Sequence, residues 1–198
     1  YIKIRQSLKK LLFFIFSENS KLINFFVIFD IFLRRLGFLN YFLKGRFEYE
    51  GLIFCNDKND TSIESSILTN QTYEPELLEE IRLTLNSGSI FIDGGANIGF
   101  FSLIASKIIG KTGAVYAFEP TPLTISYLKK NIKLNNLSNI FVINKGLSSC
   151  EKQLPFLLSS NSEANHIISR NVENLEDRKN IIKIDTISID QFCLNNDI

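Results

Sequence analysis

The sequence predicts an α/β protein of the Rossmann-like class, with three parallel strands first, additional strands after them, and helices in front. Three observations predict it. From residue 89 the apolar pattern alternates between short strand-like runs and helix-period segments. A glycine-rich turn, Gly94-Gly-Ala-Asn-Ile-Gly99, joins the first run to the first helix. A second run ends in another carboxylate, Glu119, 20 residues after Gly99.

The first 46 residues form a region of their own. They hold nine Lys and Arg against only Glu18 and Asp30, a net +7, and ten of the 18 phenylalanines lie in the first 50 positions. Leu22, Phe25, Phe26, Phe29, Phe32 and Leu36 recur at helical spacing, and Ser17-Glu-Asn-Ser20 offers a cap. Two short basic, aromatic helices are expected. The apolar runs fall short of a membrane span and carry Asp30. Phe-Ser-Glu-Asn makes a poor signal-cleavage site. Packing on the catalytic domain or another subunit stands first, and peripheral contact with an anionic membrane second.

Residues 47–69 read as extended, with Asn56-Asp-Lys-Asn-Asp60 as a turn. Tyr73–Leu85 reads as a helix, with Pro75 in its first turn and Gly88 at its end. Ser89–Asp93 is the first buried strand and 98–109 the helix after it. Ala114–Phe118 is the second strand. Residues 122–136 form the second helix, with Leu123, Tyr127, Leu128 and Ile132 inward. Ile140–Ile143 is the third strand. Beyond 146 the helical pattern stops, and Gln153–Leu158, Asn165–Ile168 and Ile181–Ile189 read as strands. Asn161–Asn165 and Asn171–Asn180 are loops.

Composition narrows the classes. A length of 198 residues with 45% hydrophobic content suits one ordered domain. A net charge of +1 makes no whole-molecule case for nucleic acid, so no nucleic-acid partner is expected. Cys55, Cys150 and Cys193 form no CxxC pair and read as reduced, mostly buried thiols, which points to the cytoplasm. One histidine, His166, excludes a multi-imidazole metal site, and no metal is expected.

The chemistry sits at the strand ends. Asp93 closes the first strand, where its carboxylate faces the crevice above the sheet. Gly94, Gly95 and Gly99 let the backbone approach a ligand closely. Glu119 is placed to accept from both hydroxyls of a ribose. Two cofactors use this geometry. A dinucleotide needs G-x-G-x-x-G, and here Ala96 takes the second glycine's place. S-adenosylmethionine (SAM) carries a cationic amino group and a sulfonium, so it calls for an acid at the start of the turn. Asp93 supplies that acid, and it would repel a pyrophosphate. From residues alone the reading stops at a nucleoside-cofactor domain that leans toward SAM.

Three segments together, Phe91-Ile-Asp-Gly-Gly-Ala-Asn-Ile-Gly-Phe-Phe-Ser102, Val115-Tyr-Ala-Phe-Glu-Pro120 and Leu128-Lys-Lys-Asn-Ile-Lys-Leu-Asn135, resemble the FkbM family of class I SAM-dependent methyltransferases. Tyr73-Glu-Pro75, Asn144–Ser148 and Thr186–Phe192 resemble its flanking segments, with Gly146 in place of alanine. The resemblance covers roughly residues 45–192. It implies methyl transfer to an oxygen, on a sugar, glycan or small metabolite. It implies cofactor contacts from Asp93, Gly94, Gly95, Ala96, Asn97, Gly99 and Glu119, from Lys145 and Gly146 near the adenine, and from Tyr73 closing over the ligand. It also implies a domain incomplete at its C-terminal end, lacking a fourth strand. The alternatives are a non-catalytic SAM-binding fragment and an NAD-dependent oxidoreductase. His166 is the one candidate base, against a plain solvated loop histidine. Asn131 and Asn135 are expected to cap or stabilise the second helix end.

Overall fold

The computed structural model describes residues 45–57, 60, 62–159, 162–168 and 179–198. The predicted basic helices of the first 44 residues and most of the 171–180 loop lie outside them. The chain divides into two compact units, the first ending at Thr84 and the second running from Leu85 to Ile198.

In the first unit, β1 (Arg46–Tyr49) and β2 (Leu52–Cys55) form an antiparallel hairpin. Its turn places Glu50 at φ 49° and Gly51 at φ 80°, and the paired strands stack Phe47 on Phe54 with ring centroids 5.1 Å apart. The extended reading fails after the turn, because α1 occupies Ser62–Asn70. Ser62 Oγ donates to Asp60 at the start of that helix, and buried Glu64 accepts from Asn56 Nδ2. These bonds hold a helical turn that the polar sequence did not announce. α2 (Pro75–Thr84) matches its prediction, with Leu78 and Ile81 buried.

The second unit carries the predicted α/β pattern. β3 (Ile90–Gly94), β4 (Ala114–Phe118) and β5 (Ile140–Ile143) form a parallel sheet in that order. α3 (Phe100–Ile109) follows β3, and α4 (Pro122–Leu134) follows β4. Alternation along β4 feeds two cores. Val115 packs with Ala105 and Ile109 of α3, with Phe91 and Ile140 against them. Phe118 turns the other way and meets Ile187 and Phe192, with Ile92, Tyr116 and Ile143 around them. Phe118 and Phe192 pack edge to face at 4.8 Å. Each fully buried ring of this kind contributes about 1.5–3 kcal/mol.

A second, four-stranded sheet runs β6 (Gly146–Leu147), β9 (Ile181–Ile187), β7 (Lys152–Leu157), β8 (His166–Ile167). β9 ends two residues short of the expected strand, and α5 (Ile189–Asn196) follows. The alternating Ile-Ser-Ile-Asp pattern reads as strand, but Ser188 caps the new helix by accepting from the Gln191 amide. Inward positions of α4 also differ from expectation. Leu128 is buried as expected and Tyr127 and Ile132 are half-buried, but Leu123 is 58% exposed, and Thr124, Ile125 and Asn131 are buried as well. Hydropathy marks Thr124 and Asn131 as outward, yet Asn131 has a buried use: its Nδ2 donates to Ile98 O at 2.8 Å, tying α4 to the turn before α3. Asn135 does take the C-cap position. Of the cysteines, Cys55 is buried, Cys193 half-buried and Cys150 exposed, so the expectation of mostly buried thiols fails at Cys150, which lies in an irregular bend before β7.

Candidate cofactor site

Register aligns the strand tips. Asp93 pairs with Ala117, Gly94 with Phe118, and Phe118 with Ile143. The turn after β3 is stitched to β4, since the Gly95 and Ala96 amides both donate to Phe118 O, at 2.9 and 2.8 Å. That double bond requires a left-handed backbone. Gly95 sits at φ 83° and Asn97 at φ 51°. A Cβ on Gly95 would meet nothing within 4 Å, so open space lies above the turn. Gly99 differs, because a Cβ there would fall 2.4 Å from Leu128 Cδ1. Gly95 faces room, whereas Gly99 exists for packing.

Asp93 is 8% exposed and accepts from Ser102 Oγ, in the first turn of α3. Burial pushes its carboxyl up from 3.8 to about 6, against the pull of the Ser102 hydrogen bonds and with a small push from Glu119. Glu119 is 7% exposed. Its Oε2 accepts from the Asn97 amide at 3.0 Å and its Oε1 from the Thr121 amide at 2.9 Å. Burial raises its pKa too, while the Thr121 amide, the Thr121 hydroxyl and the Asn97 amide pull it down. Each carboxylate oxygen keeps a second lone pair for a hydroxyl donor. Two buried carboxylates with elevated pKa, below open space, fit a ligand with vicinal hydroxyls at one end and a cation at the other.

Asn97 is half-buried and its amide side chain bonds Ser162 Oγ, with Nδ2 to Oγ at 2.9 Å. The turn therefore touches the 3₁₀ turn at Ser162–Ala164. His166 lies on β8, exposed, with Nδ1 3.0 Å from Ala164 O. Lys145 Nζ is drawn to Glu151, the lysine side chain half-buried and the carboxylate exposed. Gly146 is buried in β6, where a Cβ would lie 2.9 Å from Ile184 Cδ1. Tyr73 belongs to the first unit, ahead of α2. Its expected closure over the cofactor stands as a proposal.

Sequence reading assigned no role to Ser102, Thr121 or Ser162. Ser102 carried a signal: with Ser106 it is a polar residue inside the apolar run Phe100-Phe-Ser-Leu-Ile-Ala-Ser-Lys-Ile-Ile109, and both are buried. Such residues usually hold a buried partner. Ser106 holds Asn139.

The parallel sheet, the glycine turn and the acid at each of two adjacent tips define a Rossmann-like domain of the SAM-dependent methyltransferase class. Residues 71–192, more than half of the chain, match the TRM5/TYW2 methyltransferase domain, and the chain belongs to that family. Of the two cofactors open to a glycine turn of this kind, the family takes SAM. Among relatives, methyltransferase sdnD of Sordaria araneosa is 37% identical over 82 residues, 41% of this chain and 31% of that protein. The tRNA(Phe) (4-demethylwyosine(37)-C(7)) aminocarboxypropyltransferase of Methanocaldococcus jannaschii is 40% identical over 58 residues, 29% of this chain and 23% of that protein. The crystal structure of M. jannaschii TYW2 in complex with AdoMet is 25% identical, covers 50% of this chain and 41% of that one, and superposes with a TM-score of 0.36. The chain spans roughly a third to a half of the length of the first curated relatives it matches. Among the described residues no helix is long and apolar enough to cross a membrane.

Proposed function

We propose that the protein to which this chain belongs transfers a methyl group from SAM to a hydroxyl oxygen of a sugar, glycan or small metabolite, in the manner of the FkbM family. The observation that carries the reading is the joined pair of buried carboxylates, Asp93 and Glu119, at the tips of β3 and β4. SAM, when bound, supplies an electrophilic methyl on a sulfonium. Glu119 holds the ribose hydroxyls, and its two amide donors keep it oriented. Asp93 faces the cationic end, where a positive charge offsets its burial. Asn97 and Gly95 position the methionine moiety, and the tip of β5 at Lys145 and Gly146 borders the adenine by shape rather than through the lysine charge. Catalysis rests mainly on positioning the acceptor, with His166 as the candidate base.

A second reading has a specific observation behind it. Family membership and the resemblance to the tRNA-modifying relative favour an RNA acceptor. Charge favours the first reading for this part of the molecule: residues 47–198 hold thirteen Lys and Arg against nineteen Asp and Glu, a net −6. A phosphate backbone binds through clustered cations and counterion release. The basic first 46 residues are the only stretch suited to it by composition. Transfer of label from methyl-tritiated SAM, tested on oligosaccharides and on tRNA transcripts, separates the readings. Label in the hydroxyl acceptor and none in tRNA is expected; label in tRNA alone overturns the proposal.

A further inference from the structure

Thr121 stands at the N-cap of α4, where a threonine hydroxyl ordinarily accepts from an amide of the first turn. Here it makes no cap bond. Pro122 at the first helical position removes one amide, and the hydroxyl bonds none of the others. Thr121 is only 6% exposed, and its Oγ1 has no hydrogen-bond partner in the fold. It lies near enough to the Glu119 carboxylate to lower its pKa, without meeting the geometry of a hydrogen bond. A buried hydroxyl left in this state costs free energy, and natural proteins keep few of them. Its backbone is already committed, since the Thr121 amide donates to Glu119 Oε1. The side chain thus sits near the Glu119 carboxylate, whose oxygens also accept from the Asn97 and Thr121 amides.

We propose that the Thr121 hydroxyl is a further cofactor-positioning group, completing its hydrogen bond only when a ribose hydroxyl sits on Glu119. This rests on the assignment of Glu119 to the ribose. The unbound protein carries an orphaned hydroxyl, and binding satisfies it. Two consequences follow with opposite signs. Thr121→Val removes the orphan and keeps the shape, so the unbound protein melts at the same temperature or higher. The same change weakens SAM and S-adenosylhomocysteine binding about threefold to tenfold, the worth of one hydrogen bond. Thr121→Ser keeps the hydroxyl and restores affinity. A capping role alone predicts lower melting for Thr121→Val and no change in affinity after correction for unfolding.

The test is calorimetric titration of the chain with S-adenosylhomocysteine and with its 2′-deoxy and 3′-deoxy counterparts, for wild type, Thr121→Val, Thr121→Ala and Thr121→Ser. Thr121→Ala keeps the comparison if the valine variant fails to fold. The proposal expects the loss in Thr121→Val or Thr121→Ala to vanish for one deoxy ligand, the one lacking the partner hydroxyl. Equal affinity of wild type and the hydroxyl-free variants for the full ligand overturns the proposal while leaving the cofactor assignment intact. Wild type that binds no ligand overturns both.

Discussion

The tips of β3 and β4 and the tip of β5 are equivalent positions in one parallel sheet, but they are finished differently. At the first two, carboxylates are buried, their pKa values are raised, and backbone amides converge on one of them. A hydroxyl nearby has no partner. At the third, Lys145 reaches solvent and pairs with Glu151, while Gly146 is closed over by Ile184. No buried, open polar group is found there among the described residues. The difference teaches that a poised polar site is recognised by buried polar capacity left open, which the tip of β5 does not show.

The contrast can be broken or sharpened by substitution. Glu119→Ala should have the largest effect, about 100-fold weaker SAM binding, because it removes charged hydrogen bonds and orphans the Asn97 and Thr121 amides. Titration calorimetry reads it, and an unchanged affinity would show that the tip of β4 holds no ribose. Gly99→Ala should cost about 2–3 kcal/mol of stability, from a left-handed φ of 89° and the clash with Leu128. Gly95→Ala, strained in φ but facing open space, should cost only about 1 kcal/mol. Urea unfolding compares the pair, and equal losses would remove the distinction between packing glycine and ligand-facing glycine.

Asp93 adds a pH signature. Its folded-state value near 6 lies above the ordinary 3.8, so between about pH 4 and pH 6 the folded chain binds more protons than the unfolded one. Stability of the ligand-free chain should therefore fall as pH rises through that window, and Glu119 shifts in the same direction. Asp93→Asn, which can still accept from Ser102, should flatten most of the fall and add about 2 kcal/mol at pH 7.5. A denaturation series that keeps its slope in the variant would place the titrating group elsewhere. The smallest effect belongs to Lys145→Ala, at most twofold in SAM affinity, since its partner is an exposed carboxylate. A tenfold loss would move Lys145 into the site.

Much of this was legible beforehand, and for physical reasons. Asp93, Gly95 and Glu119 announce themselves because a strand tip, a left-handed turn and a second tip must each carry a particular residue type. The parallel strands and the helices between them followed from alternation of period two and period 3.6. What was not legible depends on partners distant in sequence. Asn131 looked like a helix cap, yet its partner Ile98 lies 33 residues away. Asn97 gained Ser162 across 65 residues. Leu123 read as core by hydropathy, but a helix whose buried face includes Thr124 and Asn131 turns it outward. Thr121 carried no signal, and only the fold shows a threonine at the N-cap of α4 whose hydroxyl caps nothing.

The central claim is that buried carboxylates at the tips of β3 and β4 receive SAM. Its most direct test is calorimetric titration with SAM at pH 6 in two buffers of different ionisation heat. Wild type should bind and release up to about half a proton, as the ligand's positive charge ionises Asp93. Asp93→Asn should bind more weakly and release much less. Absence of binding, or the same proton count in both chains, would contradict the claim.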